Sequence, residues 1–261
     1  MLRSVWRKTV RDARRGLVWW SVGIAVLVAL TNAFYPSIKG NEAYDELLED
    51  YGEAAQAFLG ATDLTSAEGY LNSQFFSFMV PVLLLVYVVG AGSRAIAGEE
   101  EAGTLDLLLS HPVSRARVVL EKAVATAVQL GVLALAVFAS IAVTAPVVSL
   151  ESGTGRIAAA SAGTYLLALL YGLLALLVGA ATGSRAAAIG VPAVLAIAGY
   201  LLNGLGQVVE VLEPFRILSP FRLVGDPLAD GVGWGFAVLA GLALVLVALA
   251  PPAFERRDVA V

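Results

Sequence analysis

Six stretches of this chain carry no Asp, Glu, Lys, Arg or His and are each long enough to cross a bilayer: Leu17 to Tyr35, Phe75 to Ser93, Ala123 to Val148, Ile157 to Ser184, Ala186 to Val209 and Val232 to Phe254. About 20 helical residues cover the hydrocarbon core, and runs of roughly 18 or more uncharged residues are the sequence mark of such a helix. Hydrophobic residues make up 59% of the 261, and the mean hydropathy is +0.81. That much apolar side chain exceeds what a single water-facing core absorbs. The expected fold is an all-α polytopic membrane protein, one transmembrane domain over residues 1–261 with six spans. The first run follows a basic segment, as in a signal peptide, but it is longer than a typical signal h-region and five more runs follow, so it is expected to stay.

Positive charges near span ends resist translocation and so set orientation. Arg3, Arg7, Lys8, Arg11, Arg14 and Arg15 precede the first run; Arg94, Arg115, Arg117 and Lys122 flank the connection between the second and third; Arg185 sits between the fourth and fifth; Arg256 and Arg257 close the chain. Placing both termini in the cytoplasm of a multi-pass cell-membrane protein leaves only Lys39, Arg156, Arg216 and Arg222 outside. Most of the acid, including Glu42, Asp45, Glu46, Glu49 and Asp50, then faces outward, so the net charge of −4 is mostly an exterior property.

Outside the spans, three segments show their own patterns. Residues 1–16 read as an amphipathic helix at the inner interface, with Leu2, Trp6, Val10 and Ala13 on one stripe and Arg3, Arg7, Arg11 and Arg14 on another, aimed at anionic head groups. The outer loop of residues 36–72 contains a second amphipathic pattern, Ala43 to Leu59, stopped by Gly60. Residues 202–231 combine apolar residues with Pro214, Pro220 and Pro227, which cut a helix into short pieces; a re-entrant segment packed against the spans is expected. There Arg216 and Arg222 are expected to pair with nearby acids or reach head groups. Close helix approach is expected at Gly90, Gly92, Gly179 and Gly183, and bends at Pro81 and Pro192.

The connection Ala97 to Arg115, AGEEEAGTLDLLLSHPVSR, is a charged island between two spans. Glu99, Glu100 and Glu101 follow Gly98 and are expected to start a helix over about 98–110, where carboxylates complement the positive end of the backbone dipole. Leu105, Leu108 and Leu109 share one face, and Pro112 ends the element. A helix of that length lies along the membrane or against another protein.

With the pattern A-G-E-x-E-x-G-T-L-x-L-L-L-x-x-P-V-S-R between Ala97 and Arg115, the chain resembles the permease subunits of type 2 ATP-binding-cassette exporters. The likeness extends to the six spans, the long first outer loop and the tail Phe254, Glu255, Arg256, Arg257, Asp258, which is similar to the family's closing F-x-R-R-D. The resemblance implies that the island is a coupling helix seated in a groove of a separate ATPase subunit. It also implies ATPase contacts at Glu99, Glu100, Gly103, Thr104, Leu105 and Leu108, with Pro112 and Arg115 setting the helix angle. Implied partners are that ATPase, which carries ATP and Mg, a second permease copy or paralogue, membrane lipids and an exported substrate; no nucleic acid is expected.

What the sequence omits agrees with an external energy source. A phosphate-cradling loop needs G-x-x-x-x-G-K-[ST], and none of Lys8, Lys39 and Lys122 follows a glycine. No cofactor or metal is expected on this chain, since there is no cysteine and His111 is the single histidine. An ion-coupled carrier is disfavoured because no ionisable group sits within a span. A non-transporting scaffold that anchors an ATPase remains the alternative. Asn32, Gln129, Thr144, Ser161 and Thr164 are the polar groups the spans offer to a cargo, which suits an apolar or amphipathic one.

Overall fold

The computed structural model describes residues 5–39, 41, 65–105 and 113–257. Six long helices carry the six apolar runs: α1 (Val5–Ala33), α2 (Met79–Ser93), α3 (Arg115–Thr144), α4 (Thr154–Thr182), α5 (Arg185–Leu205) and α6 (Trp234–Glu255). No strand occurs among the described residues. By length and composition, six helical stretches suffice to cross a membrane. This is a multi-pass membrane protein of all-α class.

Helix α4 is the hub. It packs on α2, α3, α5 and α6, while α1 lies along α3. In the most apolar stretch of α4, 61% of residues are buried, against 22% in α1, α5 and α6. The peripheral helices therefore leave large apolar side chains uncovered, among them Trp19, Val26 and Leu30 on α1 and Val194, Leu195 and Ile197 on α5. Such faces suit lipid or another helix, not water.

Glycine lets α2 and α4 approach closely. A methyl group on Gly92 of α2 would strike the carbonyl oxygen of Gly172 on α4, and one on Gly172 would strike Val88. Gly92 is thus where expected, but its partner is Gly172. The other expected small residues do different things: Gly90 faces the Arg94 side chain, Gly179 meets Ala97 in ordinary contact, and Gly183 takes φ +67° to terminate α4. Ser114 and Ser184 cap α3 and α5 by accepting from the Arg117 and Ala187 backbone N–H groups, both at 3.3 Å.

Several boundaries differ from expectation. Residues 5–16 continue into the first span as one 29-residue helix, with no break between an interfacial helix and a span. Pro81 stands in the first turn of α2, where a missing N–H leaves no helical bond unmade, because a short helix (Ala67–Leu71) and a π turn (Asn72–Phe76) precede it. Pro192 does lie inside α5. The amphipathic pattern Ala43 to Leu59 falls outside the described residues.

Polar side chains of the spans fasten helix to helix. Asn32 Nδ2 donates to Thr144 Oγ1 at 2.7 Å, tying α1 to α3, and Tyr87 Oη donates to Gln129 Oε1 at 2.8 Å, tying α2 to α3. Thr164 is buried on α4 and donates to the Ala160 carbonyl at 2.9 Å; Ser161 is buried there too. Asn32, Gln129, Ser161 and Thr164 are buried and Thr144 is half-buried, while Thr164 and Gln129 each also line a cavity.

Between α5 and α6 the chain makes a 3-10 stretch (Glu210–Leu218) and a short helix (Pro220–Val224). The short helix packs on α4, α5 and α6. Ser219 donates to the Gly199 carbonyl at 2.7 Å, and Gly235 has no room for a side chain beneath the Leu223 carbonyl. The expected packing of this broken segment on the spans holds for Pro220–Val224, while Val211, Phe215, Ile217 and Leu218 of the 3-10 stretch are exposed.

Candidate functional site

One end of the bundle gathers the start of α1, the end of α2, the start of α3, the end of α4, the start of α5 and the end of α6; it is called the basic end below. The charged island begins there. The helical path of α2 does not stop at Ser93 but runs on through a π turn (Arg94–Gly98) and a final turn (Glu99–Glu101). It ends at Gly103, whose φ of +65° is the left-handed value a helix-terminating glycine supplies. The Thr104 N–H donates to the Glu99 carbonyl and the Gly103 N–H to the Glu100 carbonyl, both at 2.9 Å, which is the paired Schellman closure.

Of the helix expected over about 98–110, the start at Gly98 is therefore not made; Leu105 is again helical, and residues 106–110 fall outside the described residues. Two glycines flank the acidic triplet, and the positive φ falls on the second, so Glu99, Glu100 and Glu101 close a helix instead of opening one. Their carboxylates sit at the negative end of the backbone dipole, at a cost of some tenths of a kcal/mol each. Cations from three other elements offset it.

Glu99 pairs with Lys122 of α3. Glu100 pairs with Arg257, just beyond α6. Glu101 lies 4.0 Å from Arg185, the first residue of α5. Three consecutive acids thus reach three different helices. Burial grades them: the Lys122 side chain is 4% exposed, whereas Glu101 and Arg185 are 51% and 43% exposed. The first pair is therefore a buried tether, and the last is a screened surface contact worth little.

Arg257 adds a fourth tie. Its guanidinium lies over Gly183 and donates toward the Ala180 carbonyl at 3.5 Å and toward the Gly179 carbonyl at 3.4 Å, the latter already accepting from the Gly183 N–H at the end of α4. Arg115 donates to the Arg257 carbonyl at 2.9 Å, and its guanidinium stands 5.5 Å from the Phe254 ring centre. On the far side of α3, the Glu121 carboxylate accepts from the Val5 and Trp6 N–H groups and from Arg117 at 2.8 Å, capping α1.

Of the residues expected to face a partner, the structure separates two groups. Gly103 and Thr104 are exposed. Glu99, Glu100 and Arg115 are held by this chain's own residues, and Leu105 is buried at 1% exposure. Leu108, Pro112 and His111 fall outside the described residues. So does Arg3 of the interfacial set; Arg7, Arg11 and Arg14 are exposed and Trp6 is half-buried, with the Arg7 guanidinium 5.5 Å from its ring centre. Sequence reasoning passed over Glu101, Lys122, Arg185 and Glu121 as members of this cluster. The alternation of acids and bases at the ends of neighbouring spans was the available signal.

Among the described residues no group of three or more His, Cys, Asp or Glu is placed to hold a metal ion. A displacement of the exposed Gly103–Thr104 turn reaches α2 directly and reaches α3, α5 and α6 through ion pairs.

A family model described as ABC-2 family transporter protein matches residues 3–259. A Pseudomonas aeruginosa protein named "Probable ABC transporter permease protein NosY" is 30% identical over 144 residues, covering 52% of this chain. The match spans 45% of that relative's own length.

Proposed function

We propose, from the premise that this chain belongs to the ABC-2 family of transporter proteins, that it is the membrane-spanning permease subunit of an ATP-driven exporter. In this reading the basic end is cytoplasmic, both termini lie there, and the membrane is the cell membrane. A separate ATPase subunit seats on the exposed turn at Gly103–Thr104 and on the segment that follows it. ATP and Mg belong to that partner. A second copy or a paralogue covers the uncovered apolar faces, and cargo passes between the two permease subunits.

The observation that supports this best is the convergence of Glu99, Glu100 and Glu101 on Lys122, Arg257 and Arg185. A partner pushing on one surface turn would move four spans together, which is what coupling nucleotide hydrolysis to a change of access requires. A passive anchor needs only the surface.

The test is purification of the tagged chain from its native membrane with whatever ATP-hydrolysing chain accompanies it, followed by reconstitution into vesicles. The expected outcome is a companion with a phosphate-binding loop, lost on Thr104→Arg, and ATP-dependent movement of an amphipathic cargo. A companion that stays bound to the T104R variant argues against docking at this turn. ATP hydrolysis with no cargo moved argues for an anchoring scaffold.

A further inference from the structure

At the end of the bundle opposite the basic end, α2, α4, α5 and the short Pro220–Val224 helix line an open cavity of about 340 Å³. Its two faces differ. Phe76, Pro81, Leu167, Tyr200 and Phe221 give it an apolar and aromatic side, with the Tyr200 and Phe221 rings edge to face at 5.5 Å. Arg216 and Arg222, with Asn203 and Gln207, give it a cationic and amide side.

Neither guanidinium has an acid. Within 4.0 Å of Arg216 and Arg222 there is no carboxylate among the described residues, so the expected pairing with nearby acids is not made. Asp226 also lines the cavity, but one of its oxygens already accepts from the Leu228 and Ala229 N–H groups, each at 3.2 Å. The Arg216 Nε atom is buried without an acceptor, and so is the Asn203 Oδ1 atom without a donor. A half-turn of that amide presents its NH2 group instead. Leaving a charged donor buried and unmet is costly.

The site is also shaped for Arg216. Its aliphatic stem lies directly on Gly206, where any side chain would occupy the same space as the Arg216 Cγ and Cδ atoms. The backbone therefore keeps a glycine where the arginine crosses into the cavity. A merely solvated arginine needs no such recess.

We propose that this cavity binds an anionic group, a phosphate or carboxylate, attached to an apolar body. Arg216 and Arg222 hold the anion by charge-assisted hydrogen bonds, Asn203 and Gln207 supply neutral donors, and Tyr200 and Phe221 receive the apolar part. The anion arrives either as the head group of a membrane lipid or as a small soluble amphiphile. The site lies within one copy of the chain and does not depend on the ATPase.

The test uses the full chain in phosphatidylcholine nanodiscs, titrated calorimetrically with hexyl phosphate, inorganic phosphate and hexanol, and separately moved into nanodiscs containing phosphatidylglycerol. Hexyl phosphate is expected to bind and hexanol is not. Arg216→Gln and Arg222→Gln should each weaken hexyl phosphate about tenfold, the loss of one charge-assisted bond. Gln207→Glu, on an exposed wall position, should abolish binding without touching the arginines. That variant keeps the proposal falsifiable where Arg216→Gln fails to fold. Phosphatidylglycerol that displaces hexyl phosphate identifies the lipid source; hexyl phosphate binding unchanged in phosphatidylglycerol identifies the soluble one, and inorganic phosphate binding with comparable strength overturns the role given to the apolar body. No heat from hexyl phosphate, or an equal affinity in wild type and Gln207→Glu, overturns the proposal.

Discussion

Neutralising Glu99 without changing its shape, by Glu99→Gln, tests the buried tether. Breaking a fully buried pair by removing one partner costs about 3–5 kcal/mol, because the remaining charge is stranded. Lys122 is 4% exposed and so strands badly, but the Glu99 side chain is 30% exposed, and water approaching from that side relieves part of the penalty. The expected cost is about 2 kcal/mol. Lys122→Met strands the Glu99 carboxylate in turn, since its Oε2 atom is buried without a hydrogen-bond partner, at an expected cost of about 2 kcal/mol as well. The double variant should be no worse than Lys122→Met alone, since nothing is then stranded. Thermal unfolding in detergent, followed by intrinsic fluorescence, reads these values. At about 2–4 °C per kcal/mol for a chain of this size, Glu99→Gln should lower Tm by about 4–8 °C. Single losses that simply add in the double variant would refute the argument that each partner strands the other.

Gly92→Ala should destabilise by about 2–3 kcal/mol, because its methyl group meets the Gly172 carbonyl, while Gly23→Ala, with open space around it, should be neutral; unfolding in detergent compares them. Arg257→Gln should cost about 2 kcal/mol and Arg256→Gln, exposed at the same tail, within about 0.5 kcal/mol, read by the same unfolding assay. Tyr87→Phe leaves the buried Gln129 oxygen unmet and should cost about 1 kcal/mol, whereas Gln129→Leu together with Tyr87→Phe should recover part of it. Leu105→Asp should unfold the permease itself, seen as loss of a monodisperse peak on size exclusion, while Thr104→Arg should leave that peak intact and lose only the ATPase.

Span number and helical class were legible because an uncharged run of bilayer length has one outcome in lipid: its backbone bonds must close within the helix. The fourth run gave no sign that it would be the hub. Its apolar composition matches that of α6, and only the pairing of Gly92 with Gly172 and the packing that follows distinguish a buried span from a lipid-facing one. The island was legible as a charged surface connection, yet its polarity along the helix was misread. Gly98 and Gly103 both look like helix punctuation, and which one turns to positive φ is decided by where Lys122, Arg257 and Arg185 arrive in space. Those cations lie 23, 157 and tens of residues away from the acids they meet, beyond the reach of any local pattern. Glu99 and Glu100 therefore look exposed in the sequence and are internal ties in the fold.

The chain contains no cysteine, so a single introduced thiol reports one position. The most direct measurement is cross-linking of Thr104→Cys, with Asp230→Cys at the opposite end as its counterpart, to the accompanying ATPase in native membranes. A short bifunctional reagent should join T104C to the ATPase, with a yield that changes when ATP is added, and should leave D230C unjoined. Cross-linking from D230C, or none from T104C while the ATPase remains bound, would contradict the account.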